Sequence, residues 1–128
     1  MAETRFPEEV RALVRNHVAS MVHLDALLLL AASSEALSAA VVAQRVGTDA
    51  GVAERALRDL AASRLVTAQG EGAAERFRFA PTDPELRRSA ELLGEMYRRF
   101  PVQVVRAVYE RPPTAVQQLA DAFRLKGP

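Results

Sequence analysis

The sequence predicts a small, mainly α-helical domain that carries one β-hairpin. Three observations lead to that fold class. Apolar residues recur at three-and-four spacing over most of the 128 residues, the mark of amphipathic helices. Between Leu65 and Phe79 the period changes to two, around glycines, as a hairpin requires. Prolines fall at the borders of these segments, where helices begin or stop.

The elements follow in order. Pro7 sits where a first helical residue would, and Glu8 and Glu9 follow in the favourable first turn. Val10, Leu13, Val14, His17, Val18 and Met21 then keep helical spacing. A second helix places Leu24, Leu27, Leu28 and Ala31 on one face. Leu29 and Leu30 widen that face until the segment is apolar nearly all round, so it is expected at the centre of the core. Ser38 is a good N-cap for a short helix to Val46, and Gly47 is the left-handed residue expected at its end. Asp49 is expected to cap the next helix, with Ala53, Ala56, Leu57 and Leu60 inward. Leu65-Val66-Thr67-Ala68 and Arg76-Phe77-Arg78-Phe79 read as strands joined by a Gly70-Glu71-Gly72 turn. Pro84 opens a helix to about Arg99 with Leu86, Ala90, Leu93 and Tyr97 on one stripe. Pro101 breaks it, and Val102, Val105, Val108 and Tyr109 belong to another helix. Thr114 is expected to cap a last one, with Val116, Leu119, Ala120 and Phe123 on one face. The organisation is therefore an N-terminal helix at 1–20, a core at 21–80 and a helical extension at 81–128.

Composition narrows the functional classes. The chain has no cysteine, which excludes disulfides, thiolate zinc sites and cysteine nucleophiles. Its longest apolar stretch, MVHLDALLLLAA, contains His23 and Asp25 and is too short to span a bilayer. The first ten residues hold acids and no apolar run, so no signal peptide, no membrane partner and a cytoplasmic location are expected. Of 17 basic residues 16 are arginine, and residues 35–80 carry six basic and six acidic groups. That balance differs from the strongly basic block of a non-specific DNA binder.

One motif organises the middle of the chain. LSAAVVAQRVG, from Leu37 to Gly47, is followed by Asp49, by Arg55-Ala56-Leu57-Arg58-Asp59-Leu60 and by Leu65-Val66. In this order and spacing the segment resembles the winged helix-turn-helix of bacterial transcriptional regulators, MarR/ArsR-like in the broad sense. It departs from the family's pattern at Arg64, where glycine is usual. The resemblance implies a winged helix-turn-helix fold whose helix at about 49–63 enters the major groove while the hairpin wing at about 65–80 lies alongside. Arg45, Arg55, Arg58, Arg76 and Arg78 are the expected contacts to double-stranded DNA. Arg76 and Arg78, two apart on a strand, share a face.

Two functions stay open. The first is a small DNA-binding regulator, homodimeric through its terminal helices. The second is a winged-helix module that docks on a protein partner, with Glu54, Asp59, Glu71 and Glu75 neutralising the face that DNA would need. No enzyme, cofactor or metal is expected. His17 and His23 are six apart rather than three or four, no carboxylates pair by spacing, and no serine sits in a nucleophile elbow.

Overall fold

The apolar spacing from Val10 to Met21 is divided between two helices. In the computed structural model, which describes residues 7–110, α1 spans Glu8–His17 and α2 spans Met21–Ala32, and the chain bends by 115° between them. Ser20 enforces the break: its hydroxyl accepts the His23 amide at 3.3 Å and caps α2. Pro7 stands one residue ahead of α1, its carbonyl accepting the Val10 and Arg11 amides, rather than as its first residue. As expected, α2 is central. Leu24, Ala26, Leu27 and Leu30 are buried, and Leu28 and Leu29 pack against the same core. A helix apolar on every side needs cover on every side, which the helices at Ala39–Val46, Ala50–Ala62 and Pro84–Arg99 and the hairpin supply.

The helix-turn-helix is α3, Ala39–Val46, and α4, Ala50–Ala62. Ser38 caps α3 by accepting the Val41 amide at 3.2 Å. Gly47 ends it with φ +88°, and Thr48 donates its amide back to the Ala43 carbonyl at 3.0 Å. Val42, Ala43, Ala53, Leu57 and Leu60 join one core cluster, so the register expected from the motif holds. Asp49 occupies the N-cap of α4 with extended backbone but makes no side-chain capping bond, contrary to the expected cap. The end of α4 is tighter than its sequence suggests. Leu65 donates to Leu60 and Arg64 to Ala61, both at 3.0 Å, the double bond of a Schellman ending. Arg64 takes the left-handed position itself, at φ +66°.

The hairpin pairs β1, Val66–Gln69, with β2, Arg76–Phe79, antiparallel, with Val66 opposite Phe79 and Gln69 opposite Arg76. Gly70 (φ +81°) and Gly72 (φ +58°) make the tip, and a 3-10 turn covers Gly72–Ala74. Leu37 forms a further antiparallel bridge to Phe77. Asp83 accepts the Glu85 amide at 2.9 Å and starts α5, Pro84–Arg99, with Pro84 in its first turn. After it comes α6, Pro101–Tyr109.

The last two helices fold back on the domain, α5 against α1, α2 and α6. Ala90, Leu93, Val104 and Val108 are buried within the chain. The inward face of α6 is therefore Val104 and Val108. Val102 and Tyr109, read as members of the same helix, point outward and are 64% and 72% exposed. The helix expected after Thr114 lies outside the described residues. Among those described, no single helix is long and apolar enough to cross a membrane.

Candidate nucleic-acid interface

With Ala53, Ala56, Leu57 and Leu60 turned inward, α4 presents Gly51, Val52, Glu54, Arg55, Arg58 and Asp59 to solvent. Its first turn holds no side-chain donor. Val52 is 42% exposed there, one of three large apolar residues so exposed among the described residues. Arg55 follows three residues later, the spacing that puts two side chains side by side on a helix.

The carboxylates of this face are mostly engaged. Arg58 donates to both Glu75 carboxylate oxygens, at 2.7 and 2.6 Å, and to Glu54 at 3.0 Å. Its guanidinium also lies over the Phe77 ring, 5.3 Å from the centroid, an arrangement that planar arginine favours. The bonds to Glu75 and then Glu54 raise the arginine's pKa further above its ordinary value. They hold the Glu75 carboxyl below its own. Asp59 meets His23 Nε2 at 2.9 Å, and His23 Nδ1 meets the Ser20 hydroxyl at 2.7 Å. His17 Nδ1 lies 2.8 Å from the Ser63 hydroxyl, and burial lowers its pKa. Both histidines thus pin the first two helices to α4. Among the described residues no group of three or more histidines and carboxylates is placed to hold a metal ion.

The wing follows the alternation read from its sequence. Phe77 is buried and Phe79 half-buried, while Arg76 and Arg78 are exposed on the other face. Arg76 donates to the Ala73 and Glu75 carbonyls at 3.0 and 2.9 Å, which closes the 3-10 turn. Arg45 near the end of α3, Arg55 and Arg78 are exposed and have no ion-pair partner among the described residues. The expected arginines therefore divide. Arg58 is committed to two carboxylates, Arg76 is held at the wing tip, and Arg45, Arg55 and Arg78 project freely.

No protein-family model matches the sequence, and no curated protein does. Solved structures do match it. A homodimeric winged helix-turn-helix DNA-binding domain from Mycobacterium bovis, Mb0332, described as a possible ArsR-family transcriptional regulator, superposes with a TM-score of 0.53. It is 24% identical over 78% of this chain and 93% of that one. The Mycobacterium tuberculosis protein RV1404 superposes at 0.50, with 15% identity over 92% of this chain and 82% of that one.

The fold is a winged helix-turn-helix.

Within the winged helix, one contact of the site has no local signal in the sequence. The Glu54–Arg58 pair is legible from its i, i+4 spacing, but Glu75 is 17 residues from Arg58 and no local pattern joins them. The exposure of Val52 was readable, since it lies off the Ala53, Leu57, Leu60 face.

Proposed function

We propose that this chain is a small DNA-binding transcriptional regulator that works as a homodimer. α4 enters the major groove and the hairpin lies along the adjacent backbone. The observation that carries this reading is the sorting of charge on the exposed face. Glu54 and Glu75 face Arg58, and Asp59 faces His23. Arg45, Arg55 and Arg78 are left with no carboxylate partner among the described residues. Three of the four acids that would have favoured a protein partner are thus engaged within the domain by Arg58 or His23.

In this reading Arg55 contacts a base edge, guanine being the usual partner of a bidentate arginine. Val52, beside it, presents methyl groups to a thymine methyl. Arg45, Arg76 and Arg78 contact phosphates, which fix register without specifying sequence. The mouth of α5 and α6 supports the dimer. Tyr97, Pro101, Val102, Val105 and Tyr109 line a mainly apolar groove of about 410 Å³, and a second copy across a two-fold axis would cover it.

The experiment is binding to a pool of random-sequence duplexes at about 50 and about 200 mM salt, followed by selection of the tightest binders. Affinity that falls steeply with salt, with a two-fold symmetric sequence emerging, supports the reading. Equal weak binding of every duplex contradicts it. Light scattering tests the dimer directly: about 28 kDa is expected, twice the 14.0 kDa chain mass.

A further inference from the structure

We infer that Arg58 is a positioning residue which sets the wing against the recognition helix, and is not itself a ligand of DNA. The inference rests on the DNA-binding reading above and assigns this arginine a role other than the expected phosphate contact.

Three observations carry it. Both terminal nitrogens of Arg58 are occupied by Glu75, at 2.7 and 2.6 Å, and Nη2 also serves Glu54. A phosphate at that fork would have to displace two carboxylates and then lie beside them. The plane of the guanidinium is held from below by Phe77, whose ring is 1% exposed in the core. A buried ring cannot yield, so the fork has one orientation. Finally, Glu75 directly precedes Arg76 and β2. Among the described residues, backbone hydrogen bonds tie α4 to the hairpin only at its base, where Leu65 donates to Leu60. The outer half of the hairpin is held to α4 through the Arg58–Glu75 fork.

The physical role follows from what such a contact can and cannot supply. Exposed ion pairs contribute little to folding stability, so stability is not its chief effect. A two-pronged arginine–carboxylate pair is directional, however, and direction is what a wing needs if Arg76 and Arg78 are to meet a phosphate backbone. Lysine keeps the charge but has no planar fork and cannot stack in the same way. Arg58→Lys therefore separates the two roles: a phosphate ligand survives it, and a positioning residue does not.

The test has two arms. In the free 128-residue chain, amide hydrogen exchange is followed at Gln69–Arg76 for wild type, Arg58→Lys and Glu75→Gln. Both variants are expected to exchange several-fold faster there, with exchange in α2 unchanged. Unchanged exchange at the wing overturns the inference whatever DNA does. In the second arm, a duplex selected on the wild-type protein is titrated against salt. Arg58→Lys is expected to lower the salt slope by about 2, the loss of two wing phosphates at about 0.9 each. Arg76→Ala should then add nothing in the Arg58→Lys background. An unchanged slope, with Arg76→Ala fully additive, would mean that lysine serves as well as arginine and overturns the positioning role. A wild-type protein that binds no duplex refutes the regulator reading itself, and the exchange arm still reports whether the fork holds the wing.

Discussion

Leu37 and Phe77 exchange both of their backbone hydrogen bonds, Leu37 N–H to the Phe77 carbonyl at 2.9 Å and Phe77 N–H to the Leu37 carbonyl at 2.7 Å. The residue that leads into the helix-turn-helix is thereby paired with the middle of the returning wing strand. One residue, Phe77, joins three parts of the fold. Its backbone bridges to Leu37, its ring fills the core, and the same ring supports Arg58.

Phe77→Ala should therefore be among the costliest single changes in the wing. Removing a fully buried aromatic ring costs about 3–5 kcal/mol, and here it also removes the platform under Arg58. Urea unfolding of the variant measures this. A loss below about 1 kcal/mol would mean that the ring is not packed as described.

Arg64→Gly should stabilise the protein. Arg64 closes α4 at φ +66°, a conformation that costs a side-chain-bearing residue about 1–2 kcal/mol and glycine almost nothing. Part of that gain is offset by the greater freedom of glycine in the unfolded chain. A net gain of about 0.5–1 kcal/mol is expected from denaturant midpoints. A loss would show that the arginine side chain contributes more than its backbone strain removes.

Stability should fall on mild acidification through His17. Burial lowers its pKa below the ordinary 6.5, so between these two values the unfolded chain binds more protons than the folded one. The contribution is complete above about pH 6.5 and is lost as pH drops toward the folded value. Glu75 does not confuse this window, because Arg58 holds its carboxyl below the ordinary 4.5. Comparing melting at about pH 7.5 and about pH 5.5, His17→Gln should show a smaller drop than wild type. An identical drop in both proteins would place the titration elsewhere.

Val52 offers a test of base reading at single-methyl resolution. Replacing thymine by deoxyuridine in the selected duplex removes only the C5 methyl. Wild type should bind the uracil duplex several-fold more weakly at one position, and Val52→Ala should not distinguish the two duplexes. Equal discrimination by both proteins would remove Val52 from the interface.

The fold was legible because its signals are local. Ser38, Gly47 and Pro84 mark helix ends by their own backbone chemistry, and all three do so in the structure. The period-two run at Arg76–Phe79 likewise fixed which arginines face outward. What stayed hidden depends on partners distant in sequence. Asp49 looked like a cap and makes no capping bond, since an N-cap residue type does not fix the rotamer that would make one. The sequence placed Val102 and Tyr109 on the helix after Pro101 without settling its faces, and the structure buries Val104 and Val108 instead. In the candidate site, Arg58 read as a free cation because Glu75 reaches it only once the hairpin has folded back. The Leu37 bridge was invisible for the same reason: one residue of strand has no period.

The central claim is that α4 specifies and the wing anchors. It is tested most directly by comparing Arg55→Ala with Arg76→Ala on the selected duplex and on a scrambled one, across salt. Arg55→Ala should lose about 1–3 kcal/mol on the selected duplex and little on the scrambled one. Arg76→Ala should weaken both alike and reduce the salt slope by about 1. Wild-type affinity for the selected duplex in both variants, with unchanged slopes, would contradict the account.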